Sequence, residues 1–176
     1  MRRGQRVRGW WARTWAGYEE GAEEGGSERP LAGYAVLMGS YAAMVGALGV
    51  AVRRRGGVAG RPAAGDLALL AVATFQVSRT LSKDAVLSPL RAPFTTYQGP
   101  AGPGEVTEAP RPGPVRHAVG ELVTCPFCVA QWAGTVGLAS LAFFPRTTRW
   151  VTAGVSAVAA ADVLQLGYAR LRQAAE

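Results

Sequence analysis

From Leu31 to Val52 the chain runs for 22 residues without a charged side chain, and then meets Arg53, Arg54 and Arg55 in succession. At 1.5 Å of rise per residue, a helix of that length crosses a hydrocarbon layer of about 30 Å. The cations that follow stop insertion and seat the helix end among headgroups. Hydrophobic residues make up 49% of the 176 positions and charged residues 18%, and the apolar residues come in blocks rather than dispersed as in a soluble core. The block is preceded by a tail holding Glu19, Glu20, Glu23, Glu24 and Glu28. A secretion signal pairs a short basic start with an apolar run, so this block reads instead as a retained anchor.

Three further spans are expected at about residues 66–84, 124–144 and 151–168, beside the first at 31–52. The second is the weakest, because it reaches spanning length only through Arg79, Lys83 and Asp84, and a re-entrant or interfacial helix there would leave three spans. Within the first, Gly39, Ala43 and Ala47 recur every four residues, as do Ala42 and Gly46, so one face can admit a neighbouring helix closely. Pro145 to Trp150 is expected to connect the last two spans, with a breaker, two cations and an aromatic at the membrane surface. Between Tyr97 and Pro114 the chain is dominated by Gly, Pro, Glu and Arg, which predicts a mobile loop over about 97–116. Asp162, in the middle of the fourth span, would be disfavoured by about 2.5–3.5 kcal/mol facing lipid. It is therefore expected to face inward, with Arg79 or Lys83 as partner.

The formal net charge is +7, carried almost wholly by Arg that flanks apolar blocks. That pattern suits anionic lipid headgroups and argues against a nucleic-acid partner, which would select one basic stripe. Residues 1–30 form a basic and aromatic, then acidic, tail: Trp11, Trp15 and Tyr18 share a helical face, so the segment is either an interfacial helix or a flexible tail. With four spans, twelve Lys and Arg residues fall on the side of the tail, central loop and C-terminus and six opposite, predicting cytoplasmic termini. The three consecutive arginines after the first span argue the other way.

The sharpest local signal is Cys125-Pro126-Phe127-Cys128 at the start of the third span. Pro126 suits a first helical position with Thr124 or Cys125 as cap, and the unpaired amides there favour a thiolate at Cys125. Buried structural thiols, thiol–disulfide exchange and metal binding all remain open for the pair. Zinc usually takes four ligands, and the chain adds only His117, a weak candidate. Glu121, four residues before Cys125, either accepts a proton or favours the helix start. No phosphate-binding loop, hydrolase elbow or metalloprotease motif is present, so catalysis is not supported and no cofactor is expected.

Taken together, Arg79, Lys83-Asp84, Ser88-Pro89-Leu90-Arg91-Ala92-Pro93-Phe94-Thr95, Gly120-Glu121-Leu122 and Cys125-Pro126-Phe127-Cys128 with Trp132 resemble a bacterial family of small membrane proteins, domain of unknown function 1360, one member of which is labelled a Bacillus sporulation protein. The resemblance spans about Leu31 to Tyr168. It departs from the family at Ala130, where Gly is usual, and in the tail and long central loop. It implies an integral membrane protein of the bacterial cell envelope with no assigned reaction. The expected fold is therefore all-α, a polytopic membrane domain over residues 31–172. A polar cluster of Arg79, Lys83, Asp84, Arg91, Glu121, Cys125 and Cys128 gathers at one membrane face, with Arg91 and Glu121 as a possible pair. The expected role is non-enzymatic, with the lipid bilayer and a membrane-protein partner or second copy as its contacts; a membrane thiol–disulfide or metal-handling protein is the alternative.

Overall fold

The computed structural model describes residues 2–24, 29–57 and 60–175. Glu28 of the acidic tail lies outside the described residues, as do the side chains of Arg2, Arg3, Arg6, Arg8, Glu23 and Glu24. The chain is mostly helical: α1 spans Arg2–Glu24, α2 Leu31–Arg54, α3 Ala64–Lys83, α4 Ser88–Arg91, α5 Pro114–Thr124, α6 Pro126–Phe143 and α7 Pro145–Ala175. Three of these, α2, α6 and α7, are long and apolar enough to cross a membrane. The protein is thus a membrane protein by its helices, and α3 does not meet the same measure on its own.

The fold is not wholly helical. Residues expected to form a mobile loop carry an antiparallel hairpin, β1 Thr95–Gly102 and β2 Glu105–Pro110, paired from Thr95↔Pro110 to Gly102↔Glu105 with two register shifts. Gly104, with φ of 74°, supplies the left-handed residue the tight turn requires. Composition disfavours strands here, but fixed contacts at the open end override it: the Arg111 amide donates to the Phe94 carbonyl at 2.8 Å and its Nε to the Ala92 carbonyl at 3.0 Å.

One helix boundary falls where expected and one departs. The α6 helix begins at Pro126 with Cys125 as its cap, as the third span required, and the residues before it form a separate helix, α5. Pro145 does not open an irregular connection but begins α7 directly after Phe144, since a missing N–H is harmless in a first turn. The Thr148 amide and hydroxyl both donate to the Phe144 carbonyl at 2.9 Å, closing that turn.

Side-chain pairs fix how the helices run. Along α3 and α6, Leu70 meets Gly137 and Thr74 meets Gly134, so these two are antiparallel. Along α3 and α7, Asp66 pairs with Arg149, the Ser156 hydroxyl donates to the Leu69 carbonyl, and Gln76 meets Asp162, so these are parallel. Beside α6 runs α2, parallel to it: Tyr41 stacks edge-on with Trp132 at 5.2 Å, and Arg55 lies 4.8 Å over the Phe143 ring. The start of α2, the end of α3 and the start of α6 therefore share one face of the bundle, where the 3₁₀ turn Ala85–Leu87, α4, the hairpin and α5 form a cap.

Close approach in α2 occurs away from the stripe that suggested it. Gly39 and Gly46 face open space, whereas a Cβ on Gly33 would collide with the Pro114 carbonyl oxygen. Glycine at 33 is what lets α5 rest on α2.

Candidate functional site

The site is built around Arg91. Pro89 enters α4 in its first turn and the helix ends after Arg91, so the guanidinium is aimed back under the cap, where its side chain is 2% exposed. Nε donates to Glu108 Oε2 at 2.8 Å, Nη1 to the Leu81 carbonyl at 2.9 Å, and Nη2 to the Asp84 carbonyl at 2.9 Å and to Glu108 Oε1 at 3.1 Å. Glu108, 4% exposed, also accepts from the Ser88 and Thr95 hydroxyls at 2.9 Å each. Burial alone would raise the Glu108 carboxyl, but the bonds from Arg91, Ser88 and Thr95 and the charge of Arg91 outweigh it and hold the group below its ordinary value of 4.5. Residues Ser88, Arg91 and Thr95 of the S-P-L-R-A-P-F-T block thus form a cage for one carboxylate.

That carboxylate is the residue sequence reasoning missed. Glu108 sits in the Gly- and Pro-rich stretch, and nothing in its neighbourhood distinguishes it from Glu105. Glu105 is itself used: Arg79 Nη2 pairs with it at 2.6 Å, and Asp84 forms a β-bridge to it. Arg79 therefore binds the hairpin and not Asp162, and Lys83 is not the Asp162 partner either. Asp162 accepts from Gln76 Nε2 at 2.8 Å, on an exposed stretch of α7 and not in an interior.

Glu121 likewise pairs elsewhere than expected. Its carboxylate accepts from Arg29 and from the Tyr34 hydroxyl, and His117 Nε2 lies 3.6 Å away. Arg91 and Glu121 are thus not paired with each other. The residue before it does the docking: a Cβ on Gly120 would lie 2.6 Å from the Phe94 carbonyl and 2.9 Å from Pro110, so the G-E-L block lets the caged loop close onto α5.

Cys125 is the N-cap of α6, with its Sγ accepting from the Cys128 amide at 3.4 Å. Both cysteines are free thiols, Cys128 exposed. Just ahead of the α6 span, Cys125 is raised by burial, but hydrogen bonds from Cys128 and the Phe127 amide and the charge of Lys83 outweigh this and hold it below an ordinary thiol. The charge of Lys83 thus favours the thiolate at Cys125. Among the described residues no three His, Cys, Asp or Glu side chains converge as metal ligands, and the trio of Cys125, Cys128 and His117 is not assembled.

A family model described as Protein of unknown function (DUF1360) matches residues 69–168, more than half of the chain. The chain belongs to this family. The DUF1360 segment begins inside α3 and ends inside α7, so it contains the Arg91–Glu108 cage, Gly120 and both cysteines, while α1 and α2 fall outside it, short of the start at Leu31 that the resemblance suggested. No curated protein and no solved structure matches the chain.

Proposed function

We propose that the chain is a non-enzymatic scaffold of the bacterial cell membrane, a four-span bundle that carries a rigid cap on its cytoplasmic face for docking a membrane-protein partner or a second copy. The observation that supports this reading is the Arg91–Glu108 cage. The guanidinium is wholly engaged by carboxylate, carbonyl and hydroxyl groups of its own chain and is shielded from solvent, so the most distinctive residues brace the cap and have no free valence for a substrate. The fourth span in this reading is α3: residues 67–78 carry no charge, Asp66 at one end is matched by Arg149, and Arg79 at the other by Glu105. The excess of Lys and Arg on the cap face supports cytoplasmic termini. Apolar side chains left outward on the cap, Val86, Leu90 and Phe127, are the surface offered to a partner.

Photo-crosslinkers at Val86, Leu90 and Phe127 in native membranes test the proposal. Discrete cross-links to a membrane protein or to a second copy are expected from the cap, and only lipid adducts from Met38 on α2. Lipid adducts alone from every position would overturn it.

A second reading, thiol–disulfide exchange or metal handling, is favoured by the N-cap position of Cys125, whose thiol is held below its ordinary value. Maleimide labelling of intact and opened cells, with and without reductant and chelator, separates it. Labelling unlocked by reductant or chelator supports thiol chemistry, and insensitivity to both leaves the scaffold.

A further inference from the structure

The scaffold reading leaves α1 without a task. This helix is held near its C-terminal end, where Glu19 Oε1 accepts from the Leu31 amide at 2.8 Å, so the side chain of one helix caps the start of the next. Its aromatic residues stay exposed: Trp10, Trp11 and Tyr18 are each more than half exposed and Trp15 more than a third. Trp11, Trp15 and Tyr18 follow at spacings of four and three, one stripe of a helix, and Trp10 meets the Trp11 ring edge-on at 4.6 Å. Residues 1–13 hold five arginines and no acidic residue. The helix is not among those apolar enough to cross a bilayer.

Where α1 must lie follows from α2. Leu31 opens a spanning helix, so its amide sits at the boundary between headgroups and acyl chains, and Glu19 is held to it by a hydrogen bond. Trp10 is nine residues further back, about 14 Å along the helix axis. A rod tethered there can point into water, lie against protein or lie along the surface, and only the last gives indole rings and arginines the layer each prefers. We infer that α1 is an in-plane interfacial helix on the cap face, with Trp11, Trp15 and Tyr18 at the top of the acyl layer and its arginine-rich sequence drawing the helix to anionic lipids.

The test uses the full chain in vesicles of phosphatidylcholine with or without phosphatidylglycerol. Fluorescence of the native protein is compared with that of a Trp10→Phe, Trp11→Phe, Trp15→Phe variant, so that the difference reports α1 without disturbing Trp132 in its stack with Tyr41. Lipids brominated near the headgroup should quench the difference signal, and aqueous iodide should not. Replacing Arg2, Arg3, Arg6, Arg8 and Arg13 by Gln should restore iodide quenching, and each single replacement should weaken the surface-bound population about fivefold in phosphatidylglycerol vesicles. Quenching by iodide alone in the native chain would place α1 in water and overturn the inference. Protection from both quenchers would place it against protein and overturn it equally. Identical behaviour with and without phosphatidylglycerol would overturn the assignment to anionic lipid.

Discussion

Removal of Glu108 should uncouple the cap from the bundle, and its magnitude can be worked from the cage. In Glu108→Ala, Arg91 keeps the Leu81 and Asp84 carbonyls and the Ser88 hydroxyl but loses both carboxylate contacts, while remaining buried. Breaking a buried pair by deleting one partner destabilises by about 3–5 kcal/mol, and the surviving carbonyl contacts place Glu108→Ala near the lower figure, about 3 kcal/mol. Arg91→Ala should lie near about 5 kcal/mol, because it strands the carboxylate and both carbonyls. Glu108→Gln keeps the shape and loses the charge, for about 1.5–3 kcal/mol. For a chain of this length a 3 kcal/mol loss lowers the midpoint by about 6–12 °C, readable by thermal unfolding in detergent micelles. The Arg91→Met, Glu108→Leu double variant should lose far less than the sum of the single changes, as buried pairs replaced together by apolar residues often do. The folded carboxyl is held below 4.5, so its contribution is fully present above that pH and is lost as pH falls through the lower folded value. Glu108→Gln should therefore flatten the acid limb of the stability profile. A Glu108→Ala midpoint within about 2 °C of the parent, or strict additivity in the double variant, would refute the cage.

Gly33→Ala and Gly120→Ala should each destabilise by at least about 1–3 kcal/mol in the same assay, because the new methyl meets backbone carbonyls, whereas Gly39→Ala should be neutral or stabilising. Alkylation of Cys125 in a Cys128→Ser variant should stay fast at pH values below the ordinary thiol value of 9, and Lys83→Gln should move the profile upward; an unchanged profile would remove Lys83 from the thiol's surroundings. Ser82, buried with a hydroxyl that has no hydrogen-bond partner among the described residues, should tolerate alanine with no loss of midpoint, and a drop beyond about 1 kcal/mol would reveal a partner.

The parts of this molecule readable from sequence are those governed by nearest neighbours. α2 declares itself through a long charge-free run and its terminal arginines, and α6 through Pro126 after a capping cysteine. The hairpin was not readable, because local composition opposes strands and the stabilising bond joins Glu108 to Arg91, 17 residues away. Arg91 could be picked out by its setting between two prolines, yet its partner could not: charge alone made Glu121 as good a choice as Glu108. The start of α7 at Pro145 departs from the expected connection because proline both breaks a helix and begins one.

The ions at the two ends of α3 depend on residues made later than α3 itself. Arg79 waits for Glu105 and Asp66 for Arg149, which follows by 83 residues. A nascent chain that has emerged only as far as Lys83 holds an insufficiently apolar helix with bare charges at both ends, which a translocation channel has little reason to release into lipid. In the four-span reading proposed above, biogenesis of this bundle is a concerted event: α3 enters when the hairpin has closed over one end and α6 and α7 have arrived to line its flanks, and truncation before Arg149 should leave it stranded at the surface.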